Sequence, residues 1–177
     1  MDPLKVAELI VKRRPPGGVL QEVRVYRGRP NPRKERTSAS YNDQQKMAWE
    51  DGDERVSVHR RMLRYPKEWP NQPPQEKGID VQLAIDLTRM AIAGEFDVGV
   101  LFSRDTDLLP ALEAIRELGG AHVETAAWAG TSQLRLEDGK PLWCHKLSQD
   151  DWVATRDTRS YHVLGDGSVP KMRPKRT

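Results

Sequence analysis

Two carboxylates at alternate positions, Asp105 and Asp107, stand in the turn Ser103-Arg104-Asp105-Thr106-Asp107 that follows the apolar run Val98-Gly99-Val100-Leu101-Phe102. If that run is a parallel strand, the pair lies at its carboxyl end, where open α/β sheets place their ligands. Two carboxylates beside a helix start make an oxygen-rich seat for a hard divalent cation such as Mg²⁺ or Mn²⁺. The same spacing also allows Asp107 to cap a helix beginning at Leu108 and Asp105 to close the turn. Asp80 favours the cation. It shares a helical stripe with Leu83, Ala84 and Leu87, and a carboxylate on an inward-facing stripe costs free energy unless something compensates it. A cation shared with Asp105 and Asp107 would do so; the competing reading keeps Asp80 wet in a first helical turn, helped by the helix dipole. Asp86 falls on a different side, with Gln82 and Arg89, where spacing predicts an i,i+3 pair with Arg89.

Other chemistries find little support. A haloacid-dehalogenase phosphatase would carry threonine where Leu109 stands, and no EF-hand glycine and closing glutamate follow Asp105. The chain has no P-loop, no G-x-G-x-x-G and no G-x-S-x-G elbow. The one cysteine, Cys144, excludes an internal disulfide and a thiolate zinc site. His59, His122, His145 and His162 are scattered as surface or satisfied residues rather than as a ligand set. Trp128, Trp143 and Trp152 are expected to be packing anchors.

The elements that must position the acids are legible in outline. Asp2-Pro3 is a helix-start signal, and Pro15-Pro16-Gly17-Gly18 stops that helix. Residues 19–26 and 56–65 read as strands. Between them, residues 30–54 read as a polar, partly ordered insertion with a helical turn near Gln44 to Trp49. Four prolines within residues 66–76 predict an extended linker. Then come a helix over 78–93, a buried strand over 96–102, a helix over 108–118 ended by Gly119-Gly120, and a strand over 122–128. That succession implies a parallel sheet covered by helices, an α/β fold. A short helix over 131–136 and a further element over 148–154 complete a domain of residues 1–155, leaving 156–177 as a flexible basic tail.

With 177 residues, 37% hydrophobic and 31% charged, the chain fits one domain with a modest core. No stretch approaches the ~18 consecutive apolar residues of a membrane span, and no signal sequence opens the chain, so a cytoplasmic location is expected. The formal charge of +3 permits nucleic-acid binding without demanding it. Basic residues concentrate from Arg24 to Arg64 and again from Lys171 to Arg176, although any one such run is commonly a solvated surface.

Taken together, Lys77-Gly78-Ile79-Asp80-Val81, Asp86, Ser103-Arg104-Asp105-Thr106-Asp107-Leu108 and the Gly119-Gly120 turn resemble the LabA-like NYN domain family of the PIN-like nuclease superfamily. The resemblance implies a PIN-like three-layer sandwich with a mainly parallel central sheet. It implies Asp80, Asp105 and Asp107 as catalytic metal ligands for Mg²⁺ or Mn²⁺, and hydrolysis of RNA phosphodiesters. Ser103 would shape the site, Asp86 would support it from behind, and Lys77, Arg104, Arg60 and Arg61 would contact RNA, with Tyr41, Trp49 and Trp69 available to stack bases. Two departures stand out. Arg104 replaces a usual glycine, and the family's opening strand, ending in aspartate and asparagine, has no counterpart here. Asp2-Pro3 corresponds to the second family element, so the expectation is either a start farther upstream or a shortened domain. A shortened domain would lose one acidic ligand and call for a second copy or a protein partner to cover the missing strand. The activity implied is a metal-dependent endoribonuclease; the alternative is a non-catalytic RNA-binding or protein-interaction module on a truncated NYN fold.

Overall fold

The computed structural model describes residues 1–15, 17–136, 139 and 142–161. Helix α1 (Pro3–Arg13) starts where Asp2 caps it, Oδ1 accepting from the amides of Leu4 at 3.0 Å and Lys5 at 3.3 Å. Strands β1 (Val23–Arg29) and β2 (Val56–Met62) flank helix α2 (Arg36–Glu50) and pair in parallel from Val23↔Val56 to Arg29↔Met62. Helix α3 (Ile79–Ile92), strand β3 (Val98–Leu101), a 3-10 turn (Thr106–Leu108), helix α4 (Leu109–Leu118) and strand β4 (His122–Trp128) follow. Strand β5 (Cys144–Leu147) and helix α5 (Gln149–Ala154) close the described fold. The glycines at 78 and 119 stand at φ +74° and +67°, a backbone region that glycine enters without a Cβ penalty, and they start α3 and end α4.

Alternating helices and parallel strands make this an α/β fold, but its strands form two sheets, β1-β2 and β3-β4-β5. Side-chain parity shows how helices join them. On β1, Val23 and Val25 pack with Leu4 of α1 and Trp49 of α2, while Tyr26 on the opposite face bonds Asp86 of α3. On β3, Leu101 packs with Leu83 of α3 and Leu112 of α4, whereas the next residue, Phe102, packs with Val6 and Ile10 of α1. Helices α1 and α3 therefore lie on opposite faces and each touches both sheets. Among the described residues neither β1 nor β3 has a backbone partner on its second edge.

The core is divided accordingly. One cluster joins α3, α4, β3 and β4 around the fully buried Leu112 and Ile115; a second joins α1 to Ala126 and Leu147; a third joins α2 to Val56 and Val58. A domain of this size usually has one contiguous core. Here the residues nearest the division, Leu9, Val25, Leu83 and Phe102, are only half-buried.

Several sequence expectations need correction. Residues 36–50 form a four-turn helix rather than a partly ordered insertion with one helical turn. Apart from Ala39 and Trp49 its contacts are largely polar, which is why an apolar period does not reveal it: Asp43 accepts from Arg29 Nε at 2.8 Å and Nη2 at 2.7 Å, and Arg60 donates to Asp43 at 2.6 Å and Asn42 at 2.8 Å. Residues 131–136 are irregular instead of helical, and β5 was not anticipated. Trp128 packs on Phe102 as expected, but Trp143 is 58% exposed and Trp152 is 38% exposed under the Arg156 guanidinium.

Residues 157–161, expected in the flexible tail, pack against the domain; the rest of that tail, from residue 162, lies outside the described residues. Asp157 accepts from Trp49 Nε1 at 2.8 Å and from Arg159 Nε at 2.9 Å, and Tyr161 donates to it as well. Arg159 also bonds Asp2, so this strap ties the start of α1 to the end of α2. Burial pushes the Asp157 carboxyl up, but the hydrogen bonds from Tyr161, Arg159 and Trp49 outweigh it and bring it down to about 2.

A carboxyl depressed below its unfolded value of roughly 3.9 contributes stability above that pH and loses it as pH falls through the folded value. Asp157→Asn is therefore expected to be less stable than the parent at neutral pH. The difference should shrink between about pH 4 and pH 2 in urea titrations, and a gap that persists at the acid end would rule this linkage out. The divided sheet gives a second expectation. In a parallel ladder alternate amides of β1 and β3 point away from their single partner, so these, save Gly28 which donates to Glu76, should exchange with deuterium well before the amides around Thr125, where β4 is paired on both sides. Uniform protection along β1 would show that its second edge is paired.

Candidate metal centre

The three acids singled out by spacing converge. One carboxylate oxygen from each of Asp80, Asp105 and Asp107 lies within 4.8 Å of the other two, with Asp80 half-buried and the other pair exposed. The cluster is built from two elements. Asp80 stands in the first turn of α3, directly after the Gly78 start, with Ile79 buried beside it as an anchor. Asp105 and Asp107 stand in the turn that leaves the end of β3. Within that turn Ser103 Oγ accepts from the Asp105 amide at 3.1 Å, and Asp105 Oδ1 accepts from the Asp107 amide at 3.0 Å. The capping role that competed with a ligand role is thus present in Asp105, and it fixes the direction in which the two carboxylates leave the backbone.

Among the described residues no Lys, Arg or His lies within ion-pair distance of Asp80, Asp105 or Asp107. Some carboxylates elsewhere are matched, as in Asp151 with Arg13 at 2.6 Å and Glu124 with Arg14 at 3.0 Å, and what distinguishes the cluster is three carboxylates brought together without a cation. Three uncompensated, oxygen-only donors at this separation fit a hard divalent cation, which takes carboxylate oxygens in preference to nitrogen or sulfur.

The remaining candidates divide. Lys77, three residues before Asp80, and Arg104, directly before Asp105, are exposed and hold no ion pair among the described residues. Arg61 is exposed and donates from Nε to Gln82 of α3 at 3.0 Å. Arg60 points the other way, held by Asn42 and Asp43, with its side chain 12% exposed. Asp86 is outside the cluster and does not pair with Arg89, which reaches Glu95 at 3.3 Å instead. It accepts from the Tyr26 hydroxyl at 3.0 Å. Burial, followed by the bond to Asp86, pushes that hydroxyl up to about 12, so it stays a donor and moors α3 to β1.

A second polar group went unnoticed in the sequence. Glu124, 4% exposed on β4, accepts from Arg14 Nε at 3.0 Å and lies 2.7 Å from His145 Nε2. It sits at the start of β4, away from the acid cluster, and ties the end of α1 to β4 and β5. Its position among the apolar residues of β4 was the one available sign of a buried ionic contact.

No helix among the described residues is long and apolar enough to cross a membrane. No curated protein and no solved structure matches the chain significantly. A sequence model of the NYN domain family matches residues 1–138. That segment holds α1 through β4 and all three converging aspartates, well over half of the 177 residues, and the chain belongs to the NYN domain family.

Proposed function

We propose that this NYN domain is a metal-dependent ribonuclease whose acids at 80, 105 and 107 hold Mg²⁺ or Mn²⁺. The observation that carries the reading is the approach of three carboxylates to within 4.8 Å without a protein cation. When bound, such a cation supplies Lewis-acid polarisation of the phosphodiester and stabilises charge on the leaving oxygen. The chain's own residues do the rest. Asp105 and Asp107 are aimed by the Ser103 and Asp105 turn bonds, Asp80 closes the set from α3, and Arg104 and Lys77 reach the flanking phosphates. Asp86 acts indirectly by fixing α3 on Tyr26. Arg61 lies free enough on the β2 side to contact RNA, whereas Arg60 would first have to leave Asp43.

The alternative, a non-catalytic RNA-binding or interaction module, draws on the open edges of β1 and β3 beside the site. An extended segment from a second copy or a protein partner would pair both edges and join the divided sheets.

Cleavage separates the two readings. With Mn²⁺, purified protein is expected to cut RNA, and Asp80→Asn or Asp105→Asn to lower the rate by at least about a hundredfold, since each removes a donor from a site that acts as a unit. Saturating Mn²⁺ at about 100 times its Kd should stabilise the parent by roughly 2.7 kcal/mol and leave either variant nearly unmoved in thermal unfolding. RNA binding with no cleavage by the parent protein would select the module.

A further inference from the structure

Several arginines of this chain are spent on carboxylates, but a group of cations on two neighbouring loops is not. Arg13, Arg14, Arg29, Arg55, Arg60 and Arg159 all hold ion pairs. Arg33, Lys34, Arg64 and Lys67 are exposed and hold none among the described residues. All four lie on the two loops that leave the carboxyl ends of β1 and β2, residues 30–35 and 63–76. The Lys34 amide bonds the carbonyl of Asn31 at 2.9 Å, and the longer loop is pinched by reciprocal 2.9 Å bonds between Arg64 and Gln75. The loops are joined to each other by Tyr65, whose hydroxyl accepts from the Asn31 amide at 3.0 Å and donates to Glu35. Glu76 then bonds the Gly28 amide at 2.5 Å, four residues before Asp80.

Tyr65 and Trp69 stand edge to face on this rim, ring centroids 5.6 Å apart, both half-buried. Lys34 Nζ lies over both rings, 4.8 Å from Tyr65 and 5.0 Å from Trp69. Aromatic faces with unneutralised cations around them suit a strand of nucleic acid whose bases are unpaired, because every base offers a π-face and every nucleotide a phosphate. An exposed cation over a ring is worth about 0.5–1 kcal/mol, less than the roughly 1–3 kcal/mol of a stacked base. A base can therefore displace Lys34 from the rings, and the freed ammonium can take the adjoining phosphate.

We infer that Lys34, Tyr65 and Trp69 form a stacking ledge for an unpaired nucleotide of single-stranded RNA, set at the carboxyl ends of β1 and β2 as the acid cluster is set at the carboxyl end of β3. The ledge rests on the ribonuclease reading and adds to it a reason for preferring unpaired substrate. Duplex RNA presents phosphates to the rim but no free base face to the rings.

The test is binding in EDTA of the full chain to a short unstructured RNA and to its duplex form. Trp69→Ala is expected to weaken single-strand binding about five- to a hundredfold, the equivalent of one lost stacked base, with duplex binding unchanged. Trp69→Phe, which keeps a ring, should restore most of it, and circular dichroism confirms that both variants fold. Equal single-strand affinity for parent and Trp69→Ala overturns the ledge, as does an equal loss on duplex. Mn²⁺-dependent cleavage by the parent, measured alongside, tells the two ideas apart: cleavage with unaltered Trp69→Ala binding rejects the ledge alone. A parent protein that neither cleaves nor binds RNA rejects the ribonuclease reading and the ledge together.

Discussion

Like charges held close together set the terms for this molecule. Two unit charges about 4 Å apart repel by roughly 1 kcal/mol in water and about 4 kcal/mol at the effective dielectric of a protein surface. Asp80, Asp105 and Asp107 bring three such pairs within 4.8 Å. Nothing local draws Asp80 to the other two, since it stands in the first turn of α3 and they stand in the turn after β3. The approach is imposed by the packing of α3 against α4 and β3 through Leu83, Leu87, Leu101 and Leu112. The hydrophobic cluster fixes the angle of α3, and that angle delivers Asp80 to the end of β3.

The same helix serves a divided sheet. Besides its apolar contacts with β3 and α4, α3 is tied to the other sheet by polar bonds, Tyr26 to Asp86 and Arg61 to Gln82. A single hydrogen bond of this kind is worth about 1 kcal/mol net, far less than the burial on the opposite flank. The acid cluster therefore belongs mechanically to the β3-β4-β5 half. The β1-β2 half, carrying the rim loops, is attached more weakly through α1, α3 and the strap at 157–161. A segment that paired β1 to β3 would stiffen the relation between rim and cluster without touching either, and RNA spanning both would do the same from above. Gly28 illustrates how closely the rim is fitted, because a Cβ there would come within 2.2 Å of Leu63.

How much of this was legible follows from the kind of force involved. The helices and strands of residues 78–128 were readable because apolar periodicity drives them, and His122–Trp128 agrees with the observed strand end to end. Asp80 could be picked out because it violates the stripe it sits on. Helix α2 could not, because Asn42, Asp43 and Gln45 meet arginines of β1 and β2 and leave no apolar period. Arg60 was assigned to RNA for a related reason: a sequence shows the charge but not the carboxylate 17 residues away that claims it. Strand β5 is only four residues long and takes its place from pairing with β4, a long-range contact that no local pattern encodes. Trp69 was visible as an aromatic among basic residues, but its relation to Tyr65 and Lys34 depends on two loops meeting.

The distribution of charge, rather than its sum, then connects structure with function. A net charge of +3 on 29 basic and 26 acidic residues suggests near balance. Pairing takes part of that charge out of consideration, since a carboxylate and a guanidinium in contact present little field at a distance. What remains at the carboxyl ends of the strands is a group of acids without cations after β3 and a rim of cations without ion pairs after β1 and β2. Among the described residues these two groups hold no ion pair with each other. Their separation is maintained because the acids are aimed by backbone bonds within the 103–107 turn, while the cations ride on loops pinned at Arg64, Gln75 and Tyr65. A site that binds a divalent cation and a polyanion together needs this arrangement. The cation seat must stay free of protein ammonium groups, and the phosphates must meet positive charge only beyond it.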